Sequence, residues 1–250
     1  MVVPAPFREL GGQFTIELLG ARAAFTTRRG GVSEGPYASL NLGFGTADDP
    51  ARQDANRARL RELVGAPPAV WMYQVHSDRV AVLDDHAVLA DPAARAERPE
   101  VDGRATRLPG VALGALGADC LTVAVAGGGA VATAHAGWRG LAAGVLGRAV
   151  DRVRALADSG AELEAAIGPG AGPCCYEVGP EVHAAFADRP EAHRGDNLDM
   201  TAVAAAQLSE AGVAAVHALR LCTICHPELF FSHRRDRGVT GRQAGLAWLT

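Results

Sequence analysis

LTVAVAGGGAVATAHAGWRG, residues 121–140, is the stretch whose reading decides the fold. Two apolar runs, 121–126 and 130–135, flank three glycines, so they read as antiparallel strands joined by a tight turn. The second run ends on His135. Gly137, Trp138, Arg139 and Gly140 then lead into 140–157, where Leu141, Val145, Val150, Val153 and Leu156 recur at helical spacing. A strand pair that hands over to an amphipathic helix is the frame of a layered domain. A core element has no need of His, Trp and Arg so close together, whereas a site does.

Working outward, VALGALGA (111–118) reads as a strand, and the polar segment 84–110 as a surface excursion. AVWMYQV (69–75) reads as a strand running into His76, with 79–83 as its hairpin partner. Residues 48–64 form a helix, with Asp48 or Asp49 as N-cap, Pro50 in the first turn and Gly65 after the end. A glycine-rich loop fills 28–46, and loops of that length tend to be functional or disordered. QFTIEL (13–18) and AAFTT (23–27) are strands. Toward the C-terminus, 162–168 is a buried strand, 180–187 and 199–211 are helices, and 213–219 and 243–248 are strands. No repeat or linker divides the chain. The expectation is an α+β fold: a single layered domain over 1–250, with mixed β-sheets flanked by helices. No GxGxxG follows a strand, which removes support for dinucleotide binding.

Composition narrows the function. The 250 residues carry a net charge of −4, with no basic footprint for nucleic acid and no polybasic membrane patch. No apolar run reaches ~18 residues, so no spanning helix is expected. The opening MVVPAPFRELGG is too short and too broken by proline to read as a signal peptide. A cytoplasmic protein with no nucleic-acid or membrane partner is expected. All 24 cationic residues are arginine. That excludes lysine Schiff bases, a pyridoxal phosphate anchor and a P-loop lysine, and leaves anions to Arg, backbone N–H groups or a metal. The five cysteines, an odd number, favour thiols or metal ligands over a disulfide framework.

If the glycine turn pairs 121–126 with 130–135, Cys120 and His135 share the open end of the two strands. Opposite or diagonal positions there are close enough for two side chains to meet at one ion, provided the register puts both on one face. His76 also sits at a strand end. A thiolate and two imidazoles suit zinc or copper, and three protein ligands leave a fourth position open. Asp119, next to the cysteine, is a candidate acid/base or orienting group. The alternative is a buried cysteine and two satisfied histidines. CTICHPELFFSHRRD is a rival site, with Cys222, Cys225, His226 and His233 around one CxxC. Only the adjacent Cys174 and Cys175 could complete it. Neighbouring cysteines rarely share a tetrahedral ion, so buried thiols are the expectation there. Arg139 at a helix start, and Arg28 near Asn41 in the glycine-rich loop, are candidate anion ligands.

TTRRGGVSEGPYASLNLG, QVHSD, GALGADCLTVAVA, HAGWRG, IGPGAGPCCYEVG and FFSHRRDRGVTGRQ occur in this order, and through them the chain resembles the YfiH/YlmD family, the "laccase domain" proteins, from about residue 24 to the end. The resemblance implies a layered fold similar to cysteine-hydrolase-like proteins. It also implies a zinc site of His, Cys and His at His76, Cys120 and His135, with copper as the other candidate ion. The implied activity is purine nucleoside phosphorylase on adenosine, inosine and methylthioadenosine, with adenosine deaminase activity. Substrates would be nucleoside and phosphate, and the protein a monomer or homodimer. Beyond what the resemblance implies, the expected catalytic residues are Cys120, Asp119 and His135, and the expected substrate-binding residues Arg28, Asn41 and Arg139. The alternatives are a cysteine hydrolase or amidase editing peptidoglycan precursors, a copper-dependent polyphenol oxidase, and a non-catalytic metal-binding protein. One departure is visible: the family's C-terminal motif has a single cysteine and a tyrosine, whereas Cys225 and His233 stand here.

Overall fold

The structure, a computed structural model, describes residues 3–250; Met1 and Val2 of the expected 1–250 unit lie outside them. The central hairpin forms as the glycines dictate. Leu121–Gly127 pairs antiparallel with Ala130–Ala136, from Leu121 opposite Ala136 to Gly127 opposite Ala130. The turn residues Gly128 and Gly129 have φ of 56° and 73°, the left-handed pair a two-residue hairpin loop requires.

Among the described residues, two six-stranded mixed sheets carry the fold. One runs in the order Arg8–Leu10, Gln13–Leu18, Ala21–Phe25, Gln243–Leu249, Ala112–Gly117, Ala69–Val70. The other runs Ala215–Ala218, Glu164–Ile167, Leu121–Gly127, Ala130–Ala136, Gly103–Thr106, Val80–Leu83. The alternation of side chains along each strand sorts the core into layers. Phe14, Ile16, Phe25 and Leu113 of the first sheet meet Ala124, Val131 and Ala166 of the second. The outer face of the first sheet, with Ala24, Leu246 and Trp248, is covered by Leu60 and Val64 of the helix Pro50–Val64. The outer face of the second, with Val123, Val125, Ala132 and Ala134, is covered by the helices Val145–Leu156 and Met200–Glu210. The result is a helix–sheet–sheet–helix sandwich. No helix among the described residues is long and apolar enough to cross a membrane.

Three local expectations are corrected. After Ala69–Val70 only an isolated bridge from Tyr73 to Glu100 remains, and Val80–Leu83 pairs in parallel with Gly103–Thr106 in the other sheet instead of forming a hairpin. The segment 84–110 is therefore not all surface. After the short helices Ala87–Ala90 and Pro92–Ala96 it enters the second sheet as the buried strand Gly103–Thr106. Its polar residues reach across to neighbouring strands: Arg104 Nη1 donates to the Trp71 carbonyl, though its buried Nε has no partner, and the Thr106 hydroxyl donates to the Leu83 carbonyl. The expected helix 140–157 is two, Trp138–Ala143 and Val145–Leu156, parted at Gly144, whose φ of 89° caps the first.

The sheets draw together at the end of the hairpin that holds His135. A Cβ on Gly245 would lie 2.4 Å from Thr122 Oγ1, and one on Gly168 would lie 2.3 Å from the Phe25 ring. Thr122 is the strand partner of His135. Gly245→Ala is therefore expected to cost about 1–3 kcal/mol by overpacking. A urea-unfolding midpoint equal to that of the parent protein would refute this close approach.

Candidate metal centre

The register settles the parity that the sequence left open. Thr122 faces His135, and continuing the ladder places Cys120 diagonal to His135 on the same, inter-sheet face. His76 arrives from the chain after Ala69–Val70. The Cys120 Sγ lies 3.9 Å from His76 Nε2, and the rings of His76 and His135 are 4.9 Å apart at 79°. One ligand atom from each of His76, Cys120 and His135 lies within 4.8 Å of the others. A thiolate and two imidazoles at that separation fit a divalent borderline ion such as zinc. The local backbone is shaped around them: a Cβ on Gly137 would fall 2.8 Å from Cys120 Sγ and 3.1 Å from His76 Cδ2.

Asp102 organises the group. Its buried carboxylate accepts the amides of Val75, His76 and Ser77 at 3.2, 2.9 and 2.6 Å, and the Ser77 hydroxyl at 2.8 Å. It also accepts His135 Nδ1 at 2.9 Å, which leaves Nε2 for a ligand. Gathering three consecutive amides onto one carboxylate folds the chain tightly around it, with His76 at φ 62°. Burial disfavours the charged carboxylate, but the hydrogen bonds from His135 and Ser77 prevail and hold it well below the usual range. Burial likewise opposes the Cys120 thiolate, yet the charge and hydrogen bond of His135, with His76, bring the thiol down to about 6. Against burial, the Cys120 charge and the Asp102 hydrogen bond lift His135 to about 9.

These groups stand in a cavity of about 540 Å³. Aromatic side chains Phe44, Tyr73 and Tyr176 line it, as do Arg98, Arg234, Arg242, Asp119 and His233. The expected anion ligands are elsewhere. Arg28 donates to the carbonyls of Ala38 and Pro227 and stacks on Phe231. Asn41 is wholly buried, bonding Thr46 and Asp48 and accepting the amides of Gly43 and Arg242. Arg139 stacks over Trp138. None of the three lines the cavity, because each is committed to the scaffold or turned to the outside. Asp119 does line it, but both its oxygens are engaged, by the Thr223 hydroxyl at 2.6 Å and the Arg234 amide at 2.7 Å. That geometry anchors Cys120 rather than leaving a free proton carrier. Sequence reading missed Asp102, Arg234 and Arg242. The signal for Asp102 was a lone acid between Val101 and Gly103 at the start of an unrecognised strand. CTICH also departs from expectation: only Cys222 of its cysteines is buried, and Cys174, Cys175, Cys222 and Cys225 form a second group of clustered ligands without His226 or His233.

Fold and donor set together define an α+β sandwich with a candidate metal centre between its sheets. Residues 22–250 match the family model described as multi-copper polyphenol oxidoreductase laccase, and the chain belongs to this family, the YfiH/YlmD proteins. It is 42% identical to a protein of Xylella fastidiosa named purine nucleoside phosphorylase, over 92% of this chain and 93% of that one. It is 41% identical to a Pseudomonas aeruginosa protein of the same name, over 91% and 93%. Among solved structures, Bacillus licheniformis YfiH superposes with a TM-score of 0.88 at 32% identity, covering 99% of this chain and 100% of that one. YlmD of Geobacillus stearothermophilus gives 0.80 at 37% identity, over 92% of each chain.

If Asp102 positions both histidines, Asp102→Asn weakens metal affinity roughly 10–100-fold, as loss of a ligand-orienting carboxylate does elsewhere. Competition with a calibrated chelator measures this. Undiminished affinity would show that the histidines hold their places without it.

Proposed function

We propose that this protein is a zinc-dependent purine nucleoside phosphorylase acting on adenosine, inosine and methylthioadenosine, with adenosine deaminase activity at the same site. The observation that carries the reading is one cavity that joins a His₂Cys donor set to aromatic and arginine side chains, in a chain about 41–42% identical to relatives named for that activity. A bound zinc ion supplies Lewis acidity at the cavity floor, available to phosphate in phosphorolysis and to water in deamination.

The chain's own residues do the rest. Tyr73, exposed at the cavity rim, offers a face on which a purine stacks, while Phe44 is already covered by the guanidinium groups of Arg57 and Arg98. Arg242, which lines the cavity with its Nη1 held by the Thr240 and Gly241 carbonyls, is the arginine assigned to phosphate in this reading; Arg98 and Arg234 add charge at the wall. Tyr176, raised to about 12 by burial and then by the Cys120 charge, stays protonated and serves as a donor. In phosphorolysis a phosphate oxygen forms a bond to the ribose anomeric carbon. The N-glycosidic bond breaks, its electron pair leaves with the purine, and a proton reaches the base. The arginines offset the charge of the phosphate, and Asp119 keeps Cys120 in register with the histidines.

Purified protein given inosine and phosphate is expected to release hypoxanthine and ribose 1-phosphate. Activity should be lost to a chelator and restored by zinc. Cys120→Ala lowers kcat/KM by roughly three orders of magnitude, the several kcal/mol that Lewis-acid assistance supplies. Arg242→Ala raises the KM for phosphate roughly ten-fold, about 1.4 kcal/mol. Phosphorolysis that persists in Cys120→Ala protein contradicts the reading.

A second reading has a specific observation behind it. Cys120, His135 and Asp102 line up as nucleophile, base and orienting carboxylate, the arrangement of a cysteine hydrolase. Such an enzyme would act on an amide, for example in a peptidoglycan precursor. It forms a covalent thioester and keeps working after chelation. Alkylation of Cys120 in metal-free protein is expected to stay fast down to pH about 6, where the thiolate persists, and to slow below it. Turnover that survives chelation but not alkylation selects the hydrolase.

A further inference from the structure

The second sulfur cluster takes no part in the chemistry above. Cys174 and Cys175 sit in the turn after Gly172, and Cys222 and Cys225 in the turn that follows the bridge between Gly170 and Cys222. These four come from two segments about fifty residues apart, yet all four Sγ atoms lie within 4.8 Å of one another. Cys225 Sγ is 3.3 Å from that of Cys174 and 3.1 Å from that of Cys175.

We infer that Cys174, Cys175, Cys222 and Cys225 form a second metal site, a closed tetrathiolate that binds a single zinc-class ion and clips the two turns together. Three features support it. First, four thiolates at zinc's Zn–S distance of about 2.3 Å sit about 3.8 Å apart at the corners of a tetrahedron, and these sulfurs are grouped on that scale. An iron–sulfur cubane holds its thiolates further apart, and a disulfide needs only two sulfurs at about 2.05 Å. Second, the Gly172 amide donates to Cys222 Sγ at 3.3 Å. Backbone N–H groups aimed at a sulfur stabilise a thiolate, the form a metal requires. Third, the backbone makes room: a Cβ on Gly172 would fall 3.0 Å from Cys222 Cβ and 3.4 Å from the sulfurs of Cys174 and Cys222.

Adjacent cysteines can share the ion because Cys174 and Cys175 occupy a turn. Cys175 N and Tyr176 N both bond to the Gly172 carbonyl, which bends the chain so that both side chains meet Cys225. With four protein ligands no position is open, so the role is structural. The clip has a mechanical address. Cys175 precedes Tyr176 of the cavity wall, and Cys222 precedes Thr223, whose hydroxyl holds Asp119 beside Cys120.

The test counts metal in protein that lacks the first site. Cys120→Ala protein, expressed with zinc and purified under reducing conditions, is expected to keep about one zinc per chain by mass spectrometry. Adding Cys225→Ser or Cys174→Ser, the two exposed cysteines, removes it. Cobalt exchanged into Cys120→Ala protein should give intense thiolate-to-metal absorption that the added substitutions abolish. Should those variants fold poorly, stepwise mercurial modification of the Cys120→Ala protein keeps the question open to an answer. Zinc release in step with modification of the four thiols supports the clip. Metal-free Cys120→Ala protein with four freely titrating thiols, a disulfide among the four, or zinc retained in the Cys225→Ser protein overturns it. These readouts do not involve nucleosides, so the inference stands or falls apart from the phosphorylase reading.

Discussion

A single buried carboxylate holds the two sides of the candidate centre in one frame. Asp102 takes the amides of Val75, His76 and Ser77 on one side and the imidazole of His135 on the other. An ionised carboxylate with no exposure needs that number of donors to offset its lost hydration. The same bonds set the direction of each histidine. They lie between Ala69–Val70 of the first sheet and Val80–Leu83, which pairs with Gly103–Thr106 of the second.

Cys120 is held with equal economy from the opposite side. Asp119, at φ 96°, turns the chain between Ala112–Gly117 of one sheet and Leu121–Gly127 of the other. Its carboxylate ties that turn to Thr223 and Arg234, and its carbonyl accepts the Ala171 amide. The cysteine thus sits where the chain passes from sheet to sheet, and the cavity opens along that seam. With no lysine in the chain, the cations in the cavity wall are arginines, and planar guanidinium groups suit both phosphate and aromatic neighbours. Arg98 already lies over Phe44, and Arg234 over Tyr176.

Much of this was legible in the sequence, for definable reasons. The glycine turn and the two apolar runs specify the hairpin. Asp49, Pro50 and Gly65 specify the first long helix, which spans Pro50–Val64 with its ends capped as expected. The shared site of His76, Cys120 and His135 was implied by the motif resemblance, while the strand ends alone left their common face open. Long-range polar bonds were not legible. Asp102 acts on residues some 25 positions upstream and on His135, 33 positions downstream, and local periodicity carries no trace of such partners. Arg28 and Asn41 misled for the same reason: a polar residue in a glycine-rich loop reads as available, and only the tertiary structure shows it spent on carbonyls and side chains within the scaffold. The four clustered thiols were visible one by one, but adjacency argued against a shared ion until the turn after Gly172 was seen to bring them together.

The most direct test is an anomalous difference map from crystals of the zinc-loaded protein, recorded at the zinc edge. The account predicts a peak bonded to His76 Nε2, Cys120 Sγ and His135 Nε2 at about 2.0–2.3 Å, with the fourth direction facing the cavity. A map with no peak among these three atoms, or one whose ion is closed off by a fourth protein ligand, would contradict it.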